Sequence, residues 1–211
     1  MSETSKMSLE WIDKVERQNP SIKMESGIIR LPLARLSFPY LFKPQAAMED
    51  GGSPKFAATF LFPFLADLKL LKEEANAVAK ERWPTPPGPL HNPIRDQGDK
   101  SSFEGYEAGS FFITCTSERK PPICDVRSVP ISDEAEIYPG CWVFGLVRCF
   151  AFEAKNRAGG VLKRGVSFGL QGVIKVADDH AFGGGSVDMG AVTAGLKGVD
   201  ISSEANPEGY F

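Results

Sequence analysis

The sequence predicts a mainly β fold: an OB-like Greek-key barrel of about five strands with one main helix and a long Pro-rich loop. Three observations predict it. Period-two alternation of apolar and polar residues recurs in short segments separated by turn residues. Glycine (21) and proline (16) are too plentiful for a helical bundle. One pair of long alternating segments near residues 141–176 reads as a hairpin. The chain has 211 residues, 42% of them hydrophobic, enough for one core plus tails.

Residues 1–27 read as an N-terminal arm. Within it, Ser8 to Gln18 is either a short amphipathic helix, with Leu9, Ile12 and Val15 on one side, or a mobile segment. Ile28 to Phe38 is the first strand, with Ala34, Leu36 and Phe38 on one face and Arg35 and Ser37 on the other. Pro39 is expected to end it. Lys55 to Phe62 is the second strand: Phe56, Ala58, Phe60 and Phe62 alternate with Lys55, Ala57, Thr59 and Leu61.

Leu68, Leu71, Ala75 and Val78 recur at helical spacing, which predicts a helix over Ala66 to Arg82, stopped by Trp83-Pro84. A Pro-rich loop follows from Thr85 to about Gly109. Its length in a compact domain points to function or disorder. Phe111 to Thr116 is the third strand, Glu118 to Pro122 a charged turn, and Asp133 to Tyr138 a short helical turn. Cys141 to Phe152 and Lys163 to Val176 form the hairpin. A domain over 28–185 and a flexible acidic tail over 186–211 complete the division. The helix falls after the second strand, whereas an OB barrel usually carries it between the third and fourth.

Net charge is −3, but it is unevenly spread. Residues 178–211 carry a net −5 and residues 1–177 a net +2, with +5 between Cys141 and Val176. The N-terminus lacks a signal-type apolar region and no apolar run is long enough to span a bilayer, so a cytosolic protein with four reduced cysteines and no membrane partner is expected.

The segment Cys141 to Phe152 carries the functional signal. Cys141, Val143, Gly145, Val147, Cys149 and Ala151 are small and suit a tight barrel interior. Trp142, Phe144, Leu146, Arg148, Phe150 and Phe152 then face outward. Aromatic rings and a cation on an outer surface suit unpaired nucleic-acid bases, which stack at about 1–3 kcal/mol each. The same parity turns Arg35, Lys55, Thr59, Phe112, Thr114 and Thr116 outward. Candidate stacking residues are Trp142, Phe144 and Phe150, with Phe112 and Tyr106 as outer candidates. Candidate phosphate contacts are Arg35, Lys55, Arg119, Lys120, Arg148, Lys163 and Arg164, the last two at the hairpin tip. Two other arrangements stay open: the aromatic face packed against the helix, or the same face as an oligomer interface in a phage structural or protein-interaction module. On the exposed-platform reading, Trp142→Ala weakens oligo-dT binding and barely changes stability.

Seven blocks, in order, resemble the OB-fold single-stranded DNA-binding proteins of tailed bacteriophages. They are Ala34–Pro44, Ser53–Pro63, Asn92–Lys100, Gly105–Pro122, Ile137–Phe152, Arg164–Asp179 and Phe182–Gly185. The resemblance implies sequence-independent binding of single strands, with weak duplex binding at most, in phage DNA replication and recombination. It implies a monomer or homodimer in the cytoplasm of an infected bacterial host. It also implies an acidic, aromatic-ended tail (here Glu204, Glu208, Tyr210 and Phe211) that touches replication proteins such as a DNA polymerase or helicase. This chain departs from the family pattern in carrying Trp142 where a Tyr is usual, and apolar Phe144 and Leu146 where polar residues are frequent.

No enzyme, metal or cofactor is expected. Cys115, Cys124, Cys141 and Cys149 contain no CxxC pair, and Cys141 and Cys149 lie about 26 Å apart along one strand at about 3.3 Å per residue. His91 and His180 support no nucleophilic triad. Asp178, Asp179 and His180 imitate a metal-dependent nuclease cluster but sit where the last strand gives way to the tail. Arg95 and Asp96 are read as ordering their loop or contacting DNA.

Overall fold

A computed structural model describes residues 8–46, 53–85, 87–155 and 159–183. The tail residues Glu204, Glu208, Tyr210 and Phe211, and Arg157, which the sequence places near the hairpin turn, lie outside the described residues. In chain order the elements are α1 (Leu9–Gln18), β1 (Ile22–Lys23), β2 (Ile29–Gln45), β3 (Lys55–Leu61), α2 (Lys69–Arg82), β4 (Arg95–Asp96), β5 (Phe111–Ser117), β6 (Ile123–Asp125), β7 (Trp142–Lys155) and β8 (Val161–Ala177). Short 3-10 turns occupy Gln97–Lys100 and Glu134–Glu136. Among the described residues no helix is long and apolar enough to cross a membrane.

Five strands make a closed barrel. The sheet runs β5-β3-β2-β7-β8, all antiparallel, and closes through a short parallel pairing of β5 with β8 at Cys115↔Phe168 and Thr116↔Gly169. The OB-type barrel read from the sequence is therefore present, with α2 as its main helix and the short α1 ahead of the first strand. β2 can serve two neighbours because it is long and bent: its first half pairs with β7 and its second with β3. Register shifts near Arg30/Leu33 and Ser37/Tyr40 supply the bends.

Those bends correct two expectations. The strand does not end at Pro39 but continues through Pro39 and Pro44 to Gln45, because irregular ladder positions leave proline without a hydrogen bond to lose. Phe38 does not share the inner face with Ala34 and Leu36. Its φ is +47°, a left-handed value that a non-glycine residue rarely adopts, and it turns the ring to the outside.

The core holds Ile29, Leu31, Leu36, Phe60, Phe62, Ile113, Val143, Val147, Phe168 and Leu170, each at most 2% exposed. Gly145 is required there. A Cβ at that position would sit 2.6 Å from both Leu31 and Phe60, closer than packed carbons approach. Helix α2 seals one side of the barrel with fully buried Leu71 and packs on β7 and β8. Its C-terminal Trp83 donates from Nε1 to Glu153 at 3.3 Å.

Helix α1 forms where the amphipathic spacing predicts it. Ser8 caps it, accepting from the Trp11 amide at 3.2 Å. Its apolar side, Trp11, Ile12 and Val15, docks on the outside of the barrel in a cluster with Leu33, Trp142 and Phe144, separate from the main core.

Candidate nucleic-acid interface

The parity argument for the hairpin is half right. Cys141, Val143 and Val147 do point into the core, and the even-numbered residues of β7 do lie outside the barrel. Trp142 and Phe144 are nevertheless 4% and 6% exposed, because α1 covers them. Neither faces solvent, which corrects the expected exposed stretch. Within the chain, what covers them is the N-terminal helix rather than α2. Trp142 meets Trp11 edge-on at 6.0 Å and donates from its indole to Asp179 at 2.8 Å.

Arg35 is also outside the barrel but is spent on structure. Its guanidinium donates to the carbonyls of Gly140 and His180, lies 3.7 Å from the Asp179 carboxylate and stacks on Phe182 at 4.2 Å. It pins the segment after β8 onto the barrel. Tyr138 helps, donating to Asp178 at 2.9 Å, and His180 sits 3.0 Å from Glu104. Asp178, Asp179 and His180 thus each have protein partners in this latch.

The outer face of β2, β3 and β5 is a different strip, buried at Leu61, Phe112, Ser37 and Thr59 and open at Thr116. Across β2, β3 and β5 the register forms rows: Arg35–Leu61–Phe112, then Ser37–Thr59–Thr114, then Tyr40–Ala57–Thr116. Side chains in the second and third rows are small or hydroxylated, and Thr59 and Thr114 bond to each other at 3.0 Å. The third row continues around the barrel. Thr116 neighbours Gly169 on β8, and Gly169 neighbours Arg148 on β7. A Cβ at Gly169 would lie 3.5 Å from the Phe150 ring, so this ring lies beside a bare stretch of β8. Phe150 is 42% exposed.

The other end of the strip is built by the Pro-rich loop. Asp96 accepts from the amides of Gly98 (2.6 Å) and Gly109 (3.4 Å), which closes the loop on itself. Gln97 is 2% exposed and anchors it: its amide donates to the carbonyls of Phe62 and Phe111, and its oxygen accepts from the Glu107 amide. Held this way, the loop lays Lys100, Phe103 and Tyr106 against Phe38 and Phe112. Phe38 meets Phe103 at 5.4 Å, and Tyr106 meets Phe112 at 5.6 Å and donates to Ser37. The Lys100 ammonium lies within 5.9 Å of all four rings, and Arg95 lies 4.4 Å from Phe112. Tyr106 and Phe112 are buried, which corrects their expected availability to bases, whereas Phe103 is 47% exposed. Burial and the neighbouring charge of Arg95 lower the Lys100 pKa.

Among the described residues, Arg95, Lys100, Arg119, Lys120, Arg148, Lys163 and Arg164 have no carboxylate within ion-pair distance, whereas Lys55 pairs with Glu118 at 3.7 Å. Lys120 lies over Phe42 at 5.2 Å. Lys163 and Arg164 flank the hairpin tip beside Leu90 and His91. Sequence reasoning missed Phe38, Lys100 and Phe103. Lys100 and Phe103 had no signal beyond membership of the long loop, and Phe38 was assigned to the inner face by alternation that its positive φ breaks.

A family model described as "Enterobacter phage Enc34, ssDNA-binding protein" matches residues 28–194. Protein p50 of Acyrthosiphon pisum secondary endosymbiont phage 1 is 30% identical over 172 residues, 75% of this chain and 88% of that protein. The single-stranded DNA-binding protein of bacteriophage Enc34, solved in complex with single-stranded DNA, superposes with a TM-score of 0.64 at 26% identity over 77% of this chain and 93% of that one. The single-stranded DNA-binding protein gp2.5 of bacteriophage T7 shares the fold, with a TM-score of 0.52 at 17% identity over 74% of this chain and 95% of its own. This chain therefore belongs to the family of the Enterobacter phage Enc34 single-stranded DNA-binding protein.

Proposed function

We propose that this protein binds single-stranded DNA without reading its sequence, for phage DNA replication and recombination, along the outer strip from Phe103 to Phe150. The observation that carries this reading is the pairing of exposed rings with cations that lack carboxylate partners. Exposed Phe103, with half-buried Phe38, Arg95 and Lys100, stands at one end, Arg148 and exposed Phe150 at the other, and Thr114, Thr116 and Gly169 between them. Small side chains give a strand room to lie close, rings take its bases, and like charges held near each other welcome phosphates. Duplex DNA hides its base faces, so it is held more weakly. The family's solved member with bound single-stranded DNA supports the class of ligand.

Arg119 and Lys120 after β5, and Lys163 and Arg164 on the hairpin, extend the phosphate path at its margins. Lys55 serves less well because Glu118 competes for it. The tail residues Glu204, Glu208, Tyr210 and Phe211 are assigned to contacts with replication proteins, as a segment separate from the 28–185 binding domain and the 1–27 arm.

Fluorescence anisotropy with labelled oligo-dT at about 50 mM salt tests this, because phosphate binding is strongest at low salt. Phe103→Ala is expected to cost about 1–3 kcal/mol of binding. Lys100→Ala is expected to reduce the salt slope by about 0.7, the share of one phosphate on a single strand. Absence of binding by the unaltered protein at that salt overturns the reading.

A further inference from the structure

Helix α1 lies outside residues 28–194, the part of the chain that matches the family. It nevertheless sits on the outward stripe of β7, the stripe that continues into Arg148 and Phe150. Its attachment is apolar. Trp11, Ile12 and Val15 rest on Leu33, Trp142 and Phe144. Among the described residues, the side-chain hydrogen bonds and ion pair of the helix stay within it and its caps: Ser8 to the Trp11 amide, Arg17 to Asp13, and Asn19 to Val15. One feature opposes docking. Glu16 has an enclosed carboxylate oxygen, Oε1, without a hydrogen-bond partner, and Asp13 and Asp67 repel its ionised form. An isolated ten-residue helix is marginal in water, so this element depends on an apolar contact with an electrostatic fault in it.

Beneath the helix is the chemistry of the exposed strip. Arg30 stacks over Phe144 at 5.3 Å and Arg35 over Trp142 at 5.6 Å. The Arg30 guanidinium donates from Nη2 to the Pro20 carbonyl at 2.9 Å, while its Nε–H is enclosed and has no acceptor in the docked arrangement. The Trp11 ring stands 6.0 Å from Trp142 at 62°, where a flat aromatic group has a place.

We propose that α1 is a displaceable cover on a second stacking site for unpaired DNA bases, formed by Trp142 and Phe144 with Arg30 as its phosphate contact. The inference rests on the single-strand-binding reading and extends its site along β7. Trp11 stands in for a base while the cover is closed. A strand already held at Phe150 and Arg148 reaches the covered rings next, and it competes with the helix for them. Apparent affinity is then the intrinsic affinity scaled by the fraction of molecules with the cover open, so a cover open one-tenth of the time weakens binding about tenfold.

The test uses the full chain with oligo-dT. Ile12→Asp breaks the apolar contact, and Glu16→Gln removes the repulsion that loosens it. Trp11→Phe and Trp83→Phe leave Trp142 as the sole tryptophan, since the chain has three. The expected result is binding by Ile12→Asp up to about tenfold tighter than by the parent. Its Trp142 fluorescence is then quenched as DNA is added, and the minimal oligonucleotide lengthens by about two bases, one for each uncovered ring. Glu16→Gln shifts affinity the other way. The cover is refuted if the parent binds oligo-dT and Ile12→Asp melts lower with unchanged affinity and no quench; α1 is then structural and the single-strand reading stands. Should Ile12→Asp fail to fold, Glu16→Gln decides: unchanged or tighter binding overturns the cover. If parent and variants all fail to bind, the single-strand reading falls and the cover falls with it.

Discussion

Replacing Trp142 by Ala measures whether this ring is a surface platform or part of the packed structure. The side chain is 4% exposed, and its indole N–H donates at 2.8 Å to Asp179, whose side chain is itself only 3% exposed. Truncating a buried Trp to Ala costs about 3–5 kcal/mol, and the lower end applies here because a single helix on the surface can settle into the gap. The carboxylate is not left alone, since it keeps the His180 amide at 2.7 Å and Arg35 at 3.7 Å, so a second full penalty is not added. About 3 kcal/mol is expected, a large share of the roughly 5–15 kcal/mol that holds a domain folded. With a urea slope of about 2 kcal/mol per M, the midpoint falls by about 1.5 M. Trp142→Phe keeps most of the apolar body and loses the donor, for about 1–2 kcal/mol. Equilibrium urea unfolding followed by far-UV circular dichroism gives both numbers. A midpoint for Trp142→Ala within about 0.3 M of the parent, on the same slope scale, shows that the ring is not packed as described.

Gly145→Ala is expected to destabilise the barrel by about 1–3 kcal/mol through overpacking against Leu31 and Phe60, read from the same urea curves, with m unchanged. Burial, then Asp13 and Asp67, push the Glu16 carboxyl up to about 7 from the ordinary 4.5. Because the folded value is the higher one, α1 docks most firmly below about pH 4.5 and loosens as pH rises toward 7, with no further change above it. Faster intrinsic-corrected hydrogen exchange of α1 amides at pH 8 than at pH 5, abolished by Glu16→Gln, is the expected signature. Deleting Ser186–Phe211 removes four acidic residues and one lysine. It is expected to tighten oligo-dT binding at low salt, with the gain fading as salt rises; an unchanged or weaker affinity counts against competition by the tail.

Local pattern alone located the barrel strands, though not the far end of β2, and determined α2 and the inner face of β7, while it left α1 open between a helix and a mobile segment. Alternation and amphipathic spacing are set by which side chains must leave water, and Phe60, Phe62, Val143 and Val147 had no other place to go. Pattern could not say what lies on the outside of a strand. Trp142 and Phe144 point away from the core as their parity requires, yet a helix more than a hundred positions earlier in the chain covers them. Phe103 and Lys100 come from a loop without periodicity and reach the strip only because Gln97 ties that loop to Phe62 after β3 and to Phe111 on β5, while Asp96 closes it on itself. Such pairings depend on which distant segments meet, and that is decided by closure of the barrel, where solvent-facing and partner-facing surfaces are finally distinguished.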